Sequence, residues 1–393
     1  MVLRVNSLDN SRPMINAAER PRETSRPRIL EVLYSFRIGG SEVVGLDLAR
    51  QLADTGCDVI CSAIDGVDGP LRRTCESYGL PVVDLGIPAS VLGRNGCDIG
   101  LVRRLRALRL DAVHLQHFVS LNKLGIAARL AGIPRIVVSE HSDAGLRDSF
   151  AGRLRARFNW RLAHQITVIH GGIASYLAAH IGVHARRMTV IPLGIDVAKW
   201  HRTDRSECRD KLGLGEETTF IFVGRIAAVK NVPGLIRAFL EASTRSQKPA
   251  TLLVVGDGAE MAECRALAAA HPAGMHVKLL GEQRDTRPFL AAADVLVLNS
   301  RSEGTPRALL EAMCMGLPGI CPAVGGITAL LGERGWLTDP VDPSTLVDAL
   351  LDALADPAKT RIFGERARAH VAGAFDAGEI ARRYRRLLVT GRL

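Results

Sequence analysis

Two carboxylates eight positions apart, Glu303 and Glu311, are the residues of this chain best placed to do chemistry. An apolar run at 295–298 precedes them and is typical of a buried parallel strand. Thr305 is predicted to be the N-cap of the next helix and Pro306 its first residue. The segment therefore predicts a strand, a tight loop and a helix, with one carboxylate in the loop and the other on the helix.

This arrangement suits a sugar nucleotide. The free backbone N–H groups at a helix start, together with the positive end of the helix dipole, favour a diphosphate. Glu311 would lie roughly 7–9 Å along the helix from the loop, at about 1.5 Å per residue. Carboxylates accept hydrogen bonds from hydroxyl groups but repel phosphate. We therefore expect Glu303 to hold a sugar and Glu311 a ribose, each facing away from the phosphates.

A second element supplies positive charge. Gly224 and Arg225 follow the predicted strand 219–223, and Lys230 comes just before a helix that begins near Pro233. A departing diphosphate needs fixed cations, for which arginine offers a fork and lysine a point charge. Arginine and lysine in a loop can also serve solubility alone. The functional interpretation therefore depends on the glutamate pair, which follows this element in the expected order along the chain.

The first half of the chain contributes glycines and histidines. Gly39 and Gly40 stand between the first predicted strand and the first helix, where they would let the backbone approach a phosphate or a sugar. The loop has no G-x-G-x-x-G pattern, which argues against a nicotinamide cofactor. His141, at a strand end, is a candidate site residue, and His117 is a second one. His170 has no assigned role.

Together these motifs resemble the retaining glycosyltransferases of family 4. The resemblance rests on Glu-x7-Glu at 303–311, Gly-Arg-x4-Lys at 224–230 and Gly-Gly-Ser-Glu at 39–42. It covers about residues 28–390 and is strongest from 224 to 326. It implies an α/β chain of the GT-B class, with two Rossmann-like domains whose parallel sheets face each other across a cleft. The alternation of strand and helix patterns independently favours parallel sheets.

The resemblance also implies the domain organisation and the roles of single residues. Residues 1–27 are expected to be a flexible tail, 28–195 an acceptor-binding domain, 196–370 a donor-binding domain, and 371–393 a helix crossing back to the first domain. The linker is placed near 193–215. The expected catalytic residues are Glu303, His141, Arg225 and Lys230. The expected donor-binding residues are Gly39, Gly40, Gly224, Arg225, Lys230, Gln283, Glu303, Gly304, Thr305, Pro306 and Glu311.

The implied activity is retaining transfer of a sugar from a UDP- or GDP-linked donor to a glycan or lipid-linked acceptor, in bacterial surface polysaccharide or glycolipid synthesis. No metal or other cofactor is expected, since Arg225 and Lys230 could replace a divalent ion. A nucleotide-sugar epimerase or hydrolase, and a non-catalytic sugar-nucleotide binding protein, remain alternatives. A nicotinamide dehydrogenase is disfavoured.

Charge suggests a further partner. The chain carries a net charge of +10, and residues 101–200 hold 15 Lys and Arg against 5 Asp and Glu. Such a basic excess favours an anionic partner, although 44 Arg against 7 Lys equally fits a bias of genome composition. No motif supports nucleic-acid binding.

One segment connects this charge to a membrane. Phe150, Leu154, Phe158 and Leu162 recur at helical spacing, with arginines between them. A basic amphipathic helix of this type can lie on an anionic bilayer, although a core-facing helix with solvated arginines has the same pattern. We expect a cytoplasmic protein peripheral to the inner face of the plasma membrane. The absence of a secretory signal and eight cysteines without C-x-x-C, which favour reduced thiols, agree with that location.

Overall fold

The computed structural model describes residues 26–87, 98–141, 150–201 and 203–393. The chain forms two compact units, of which unit 1 ends at Gly194 and resumes as Ala377–Leu393, whereas unit 2 is Ile195–Asp376. The expected tail lies outside the described residues, apart from its last two positions.

Unit 1 is built on a six-stranded sheet with the order β2-β1-β3-β4-β5-β6, in which every pairing is parallel. This confirms the predicted parallel sheet. The strands are β1 (Arg28–Leu33), β2 (Asp58–Ala63), β3 (Ala112–Gln116), β4 (Arg135–Glu140), β5 (Gln165–Val168) and β6 (Met188–Val190).

The helices of unit 1 include one from the end of the chain. The last helix packs on α1, β3 and β4, and its residues Ile380 and Leu387 join the hydrophobic core of the unit. The helices are α1 (Gly40–Asp54), α2 (Pro70–Ser77), α3 (Ile99–Ala107), α4 (His117–Leu130), α5 (Phe150–Asn159), α6 (Gly171–Tyr176) and, after unit 2, α15 (Ala377–Thr390).

Unit 2 is a second six-stranded parallel sheet, with the order β12-β11-β10-β7-β8-β9. The connections run in opposite directions on either side of β7 and β10, which makes this pair the topological switch point of the sheet. The strands are β7 (Thr218–Val223), β8 (Ala250–Val255), β9 (Val277–Gly281), β10 (Val295–Val297), β11 (Gly319–Pro322) and β12 (Gly335–Thr338).

The unit 2 helices are α7 (Arg205–Lys211), α8 (Val232–Arg245), α9 (Met261–Ala269), α10 (Arg287–Ala292), α11 (Arg307–Cys314), α12 (Ile327–Leu331), α13 (Ser344–Ala355) and α14 (Pro357–Ala374). The segment 193–215, expected to be a linker, thus contains α7. This helix is fixed to unit 2, because the buried Arg209 donates hydrogen bonds to the carbonyls of Ala292 (2.7 Å) and Glu217 (2.8 Å). Unit 2 ends at Asp376, between α14 and α15.

Helix α5 presents an apolar face to solvent. Phe150, Leu154 and Phe158 are 74%, 48% and 64% exposed. The sequence pattern had suggested that Leu162 extends this face, but it does not. It lies in a separate 3₁₀ turn and packs against Gly125 of α4. The preceding residues 142–149 of the predicted membrane segment lie outside the described residues. No helix in the described ranges has both the length and the apolar character needed to cross a bilayer.

Candidate functional site

The candidate site of unit 2 lies in the loops that follow its strands. Because all six strands are parallel, their carboxyl ends meet at one edge of the sheet, and ligands of such sheets bind at the switch point. Lys230 lies in the loop after β7, and Glu303 lies in the loop after β10. The two residues therefore come from the two strands that flank the switch point.

Glu303 is held by two neighbours. Its Oε1 accepts a hydrogen bond from Nζ of Lys230 at 2.5 Å and another from Oγ of Ser300 at 2.6 Å. The side chains of Glu303 and Lys230 are only 8% and 24% exposed, so solvent screens this ion pair weakly. No described residue hydrogen-bonds to Oε2 of Glu303, which leaves that oxygen as an acceptor for a ligand.

Backbone contacts fix the loop around Glu303. The N–H of Arg301 donates to the carbonyl of Val229 at 2.8 Å, and the N–H of Gly326 donates to the carbonyl of Gly304 at 2.7 Å. Gly325 has φ +55°, and a Cβ there would stand 1.7 Å from the carbonyl oxygen of Glu303. The loops after β7, β10 and β11 are thus joined, and Gly325 is required both for its backbone angle and for the close approach.

The helix that follows begins later than predicted. Pro306 is the N-cap of α11, and Arg307 is its first residue. The prediction of Thr305 as N-cap and Pro306 as first helical residue was wrong, because Pro306 has ψ 119° and is extended. Pro306 has no side-chain acceptor, and no side chain caps the helix. The first N–H groups of α11 are therefore not occupied by a side-chain cap.

The two glutamates have separate partners. Glu311 is buried and accepts a hydrogen bond from Nε of Arg307 at 2.8 Å, one helical turn earlier. Arg225 is exposed, and no described residue forms an ion pair with it. Gln283, after β9, donates from its amide to the carbonyl of Leu280 at 2.8 Å. Among the expected donor-binding side chains of unit 2, Lys230 and Glu303 are thus in direct contact, whereas Arg225, Gln283 and Glu311 are positioned independently.

The glycine loop of unit 1 carries a carboxylate. Gly39 is the N-cap of α1, and Glu42 folds back over it, so that a Cβ on Gly39 would stand 2.2 Å from the carboxylate. Ser41 donates to the same carboxylate at 2.9 Å. Since a carboxylate repels phosphate and accepts from hydroxyls, this loop is better suited to a neutral hydroxyl than to a phosphate in the present conformation.

His117 and His141 lie beside each other at the carboxyl ends of β3 and β4, with ring centroids 5.1 Å apart. Nδ1 of His117 is 2.9 Å from the carboxylate of Glu140. Burial would lower the pKa of His117, but the charge of Glu140 and its hydrogen bond raise the pKa above the usual value. For His141, burial and then the neighbouring His117 and His114 hold the pKa well below the usual value.

The two pKa values are therefore shifted in opposite directions, which favours the cation at His117 and the neutral base at His141. His117 also has φ +70°, a left-handed angle that costs a side-chain-bearing residue on the order of 1–2 kcal/mol. Strain of this kind is concentrated at functional sites. His170, by contrast, is the N-cap of the short helix α6.

The sequence analysis missed a set of buried polar residues beneath this pair. Their register places them on one face of the sheet, and all are less than 2% exposed. In the sequence they are visible only as single polar residues inside apolar strands. The order of the strands is needed to see that these residues are neighbours. They are Glu31, His114, Gln116, Ser139 and Thr167.

Cysteines and metal-ligating clusters contribute to neither site within the part of the chain that the structure describes. All seven cysteines in the described ranges are free and buried, and Cys97 lies outside those ranges. Within the same ranges, no three His, Cys, Asp or Glu side chains are grouped so that they could hold a metal ion.

Comparison with known proteins places the chain in a family. Residues 38–199 match the family model described as Glycosyltransferase Family 4, and residues 204–370 match Glycosyl transferases group 1. A D-inositol 3-phosphate glycosyltransferase of Geodermatophilus obscurus is 33% identical over 383 residues, covering 86% of this chain and 81% of the relative. The chain belongs to glycosyltransferase family 4. It is an enzyme that transfers a sugar.

Two further similarities concern a second relative and the fold. An N-acetyl-alpha-D-glucosaminyl L-malate synthase of Bacillus anthracis is 26% identical to this glycosyltransferase over 360 residues, covering 88% of this chain and 93% of the relative. Anabaena HepE in complex with UDP superimposes with a TM-score of 0.79 at 22% identity, covering 93% of this chain and all of HepE. The fold is thus the GT-B fold of two Rossmann-like domains.

The close approach at Gly325 leads to a first prediction. Gly325→Ala forces a Cβ against the carbonyl of Glu303 at a left-handed backbone angle, so the free energy of unfolding should fall by about 2 kcal/mol or more. Donor affinity should fall with it, because the loop that holds Glu303 must move. Denaturant titration and donor titration measure the two effects.

Gly373→Ala is the matched control. Gly373 lies in helix α14, and nothing lies within 4 Å of a Cβ placed there, so alanine should be neutral or stabilise by up to about 1 kcal/mol. Equal stabilities of the two alanine variants would refute the assigned role of Gly325.

Proposed function

We propose that this glycosyltransferase transfers a sugar from a UDP-sugar to an acceptor that carries an anionic group, with retention of the anomeric configuration, in bacterial surface polysaccharide or glycolipid synthesis. The observation that carries the donor half is the partly buried ion pair between Lys230 and Glu303 at the switch point of unit 2. HepE, which shares the fold, was solved with UDP. Retention rests on membership of family 4.

Each group near the switch point has a distinct task. Lys230 supplies a positive charge for the diphosphate that leaves, and a charge held in a partly buried place is more effective than one in water. The helix start of α11, without a side-chain cap, offers backbone N–H groups to the phosphates. Oε2 of Glu303 accepts a hydrogen bond from a hydroxyl of the donor sugar, and the carboxylate of Glu311 accepts one from a ribose hydroxyl.

The ion pair itself has a consequence for catalysis. While Lys230 is bound to Glu303, each charge compensates the other in a site that is poorly screened. When the diphosphate carries the leaving negative charge, Lys230 can turn toward it, and Ser300 continues to hold Glu303. The interaction with Lys230 then grows as charge develops on the leaving group, which is the requirement for lowering a barrier.

A second prediction concerns this pair. Lys230→Met and Glu303→Gln should each lower kcat for sugar transfer by about 10²-fold or more, the usual loss when one charged stabiliser of a transition state is removed. Lys211→Met is the matched control. Lys211 also forms an ion pair, with Glu207 at 2.6 Å, but it is 70% exposed, so its removal should leave kcat within about twofold.

The same assay determines the stereochemistry. An α-linked donor should give an α-linked product by NMR, and front-face attack and a covalent intermediate both lead to that result. A β-linked product would exclude retention. Undiminished transfer by both Lys230→Met and Glu303→Gln would exclude the assigned roles of the pair. A reaction without acceptor measures any hydrolysis or epimerisation of the donor.

The acceptor half of the proposal rests on His117. A histidine whose pKa is raised by Glu140 favours an imidazolium ion, and the hydrogen bond from Nδ1 leaves Nε2–H as the second donor. The side chain is 22% exposed and therefore reachable. Two relatives are named for the acceptors L-malate and D-inositol 3-phosphate, which share a negative charge. A lipid-linked diphosphate has the same chemistry.

A third prediction follows from the charge of His117. With wild-type enzyme, KM for an anionic acceptor should rise as the pH increases through the pKa of His117, since only the protonated form attracts the anion. His117→Asn should show a KM about tenfold higher at pH 6 and no such pH dependence. Asparagine is chosen because it tolerates a left-handed backbone angle.

Matched acceptors provide the control. A neutral acceptor of the same sugar or polyol, without its phosphate or carboxylate, should react with the same KM in both enzymes at every pH. An unchanged KM for the anionic acceptor in His117→Asn would refute an anion site at His117. It would leave the donor half of the proposal intact.

The exposed face of α5 is proposed to lie on an anionic bilayer. Phe150, Leu154 and Phe158 form the apolar part of this face. From Phe150 to Gly194 the chain contains six Arg and no Asp or Glu, and Arg155 and Arg157 form no ion pair with any described residue. Exposed aromatic residues beside unpaired arginines suit the boundary between acyl chains and anionic headgroups.

A fourth prediction tests this face with vesicles. Wild-type protein should sediment with vesicles that contain anionic lipid and remain in the supernatant with neutral ones. Phe150→Ser together with Phe158→Ser should abolish sedimentation. Arg155→Gln and Arg157→Gln should each weaken it roughly fivefold, corresponding to about 1 kcal/mol for each cation.

Met275→Ser is the control for lost apolar exposure, because Met275 is 79% exposed and belongs to unit 2 and not to this helix. It should sediment like the wild type. Recovery of the wild-type protein in the supernatant under every condition at low and moderate salt would overturn the membrane proposal.

A further inference from the structure

A continuous buried network lies under the pair of histidines in unit 1. We name it the polar network. Most of its members come from neighbouring strands, and one comes from the last helix of the chain. Its members are Glu31 of β1, His114 and Gln116 of β3, Ser139 of β4, Thr167 of β5 and Tyr384 of α15.

The hydrogen bonds of the polar network run from α15 to His141. The hydroxyl of Tyr384 lies 3.1 Å from Ser139 Oγ and 3.2 Å from Thr167 Oγ1. Ser139 Oγ is 2.6 Å from Nε2 of His114, whose Nδ1 is 2.7 Å from Oε2 of Glu31. The other carboxylate oxygen of Glu31 accepts from the Gln116 amide at 2.6 Å. The Gln116 carbonyl oxygen is hydrogen-bonded to Nε2 of His141.

These bonds determine which way the Gln116 amide points. A carboxylate accepts hydrogen bonds and does not donate them, so the NH₂ group of Gln116 must face Glu31. The carbonyl oxygen of Gln116 then faces His141 and can only accept. Nε2 of His141 must therefore carry a hydrogen.

The charge state of His141 completes the assignment. Burial and the neighbouring histidines hold its pKa well below the usual value, so the ring is neutral near neutral pH and carries one N–H. With that hydrogen on Nε2, Nδ1 has a lone pair, and no described residue hydrogen-bonds to it. Such a nitrogen accepts from a hydroxyl but cannot donate to a phosphate oxygen.

Packing around the His141 ring is incomplete on one side. A cavity of about 30 Å³ between α1 and α15 borders His141, Gln116 and Tyr384, which is room for a water molecule or for movement of a side chain. The hydrogen bond from His141 to Gln116 therefore adds to packing a restraint on the orientation of the ring.

We propose that Gln116, oriented by Glu31, is a positioning residue that holds His141 as the neutral Nε2–H tautomer, so that Nδ1 accepts a hydrogen bond from a hydroxyl of the substrate sugar. This inference rests on the proposed function for the identity of the hydroxyl, but the tautomer itself does not. His141 is then a sugar ligand and not a phosphate ligand or a proton donor.

The first test is spectroscopic and requires no activity. In protein labelled with ¹⁵N at its 11 histidines, long-range ¹H–¹⁵N correlation spectra distinguish the two neutral tautomers and the cation. The signal of His141 is assigned by its loss in His141→Gln. We expect His141 to be the Nε2–H tautomer at pH 7 and to stay neutral at a pH where a solvent-exposed histidine is already protonated. An Nδ1–H tautomer, or a cation at pH 7, would overturn the proposal.

Two variants of Gln116 then test its role. Gln116→Leu keeps much of the volume and removes the acceptor, so the tautomers of His141 should mix and kcat should fall about tenfold while KM for the acceptor stays constant. Gln116→Glu retains an acceptor and places a second carboxyl group against Glu31, so that the two carboxyl groups share one proton. The negative charge that remains then lies nearer to His141 and raises its pKa. The acid limb of kcat/KM should therefore move toward neutral pH.

Two controls distinguish general structural damage from the loss of the positioning role of Gln116. Tyr384→Phe removes the hydroxyl at the far end of the polar network, so its melting temperature should fall while His141 keeps the Nε2–H tautomer. Gln51→Leu removes a glutamine that borders the same cavity without belonging to the network, and should leave tautomer, kcat and pH profile unchanged. An unshifted acid limb in folded Gln116→Glu, or a tautomer change in Tyr384→Phe as large as that in Gln116→Leu, would refute the inference.

The two proposals can fail separately. If wild-type protein shows the Nε2–H tautomer but transfers no sugar from any nucleotide donor, the proposed function is wrong and the role of Gln116 stands. If transfer occurs and the tautomer differs, the role of Gln116 is wrong and the proposed function stands.

Discussion

The parallel direction of every strand is the constraint on which both units depend. A parallel sheet is buried on both faces and sends all of its carboxyl ends to one edge. Chemistry can therefore be placed only in the loops at that edge, while the strands remain apolar. Lys230 and Glu303 come together in unit 2 for this reason. His117 and His141 do so in unit 1.

The sheet of unit 1 contains buried polar residues in its middle strands, and hydrogen bonds compensate the cost of burying them. A buried carboxylate without partners would cost several kcal/mol. Glu31 is completely buried, yet both of its oxygens have hydrogen-bonding partners in Gln116 and His114. A network of this kind is stable only when every member is satisfied. This requirement ties the orientation of His141 to residues on four strands and one helix.

Local patterns in the sequence could predict the strand and helix types, because the apolar runs and helical periodicities are contained in short windows. They located Glu303 and Lys230 in separate loops, but the contact between the two depends on β10 pairing with β7, and strand order is not encoded locally. The same limit hid the polar network, whose members are up to 353 positions apart, from Glu31 to Tyr384. The prediction of Thr305 as the N-cap was wrong for a different reason. It relied on the general preference for proline at the first helical position, but the backbone of Pro306 is extended and the helix begins one residue later.

The return of α15 to unit 1 affects the order in which the protein can be made. Unit 2 is inserted between β6 and α15 of unit 1, so the sequence of unit 1 is discontinuous. During synthesis, its sheet emerges from the ribosome long before the helix that covers one face of it. Unit 2 has all of its strands and helices available earlier than unit 1 does, and domains generally fold as units during translation. The core of unit 1, which includes Ile380 and Leu387, is therefore completed only after the whole of unit 2 has been synthesised.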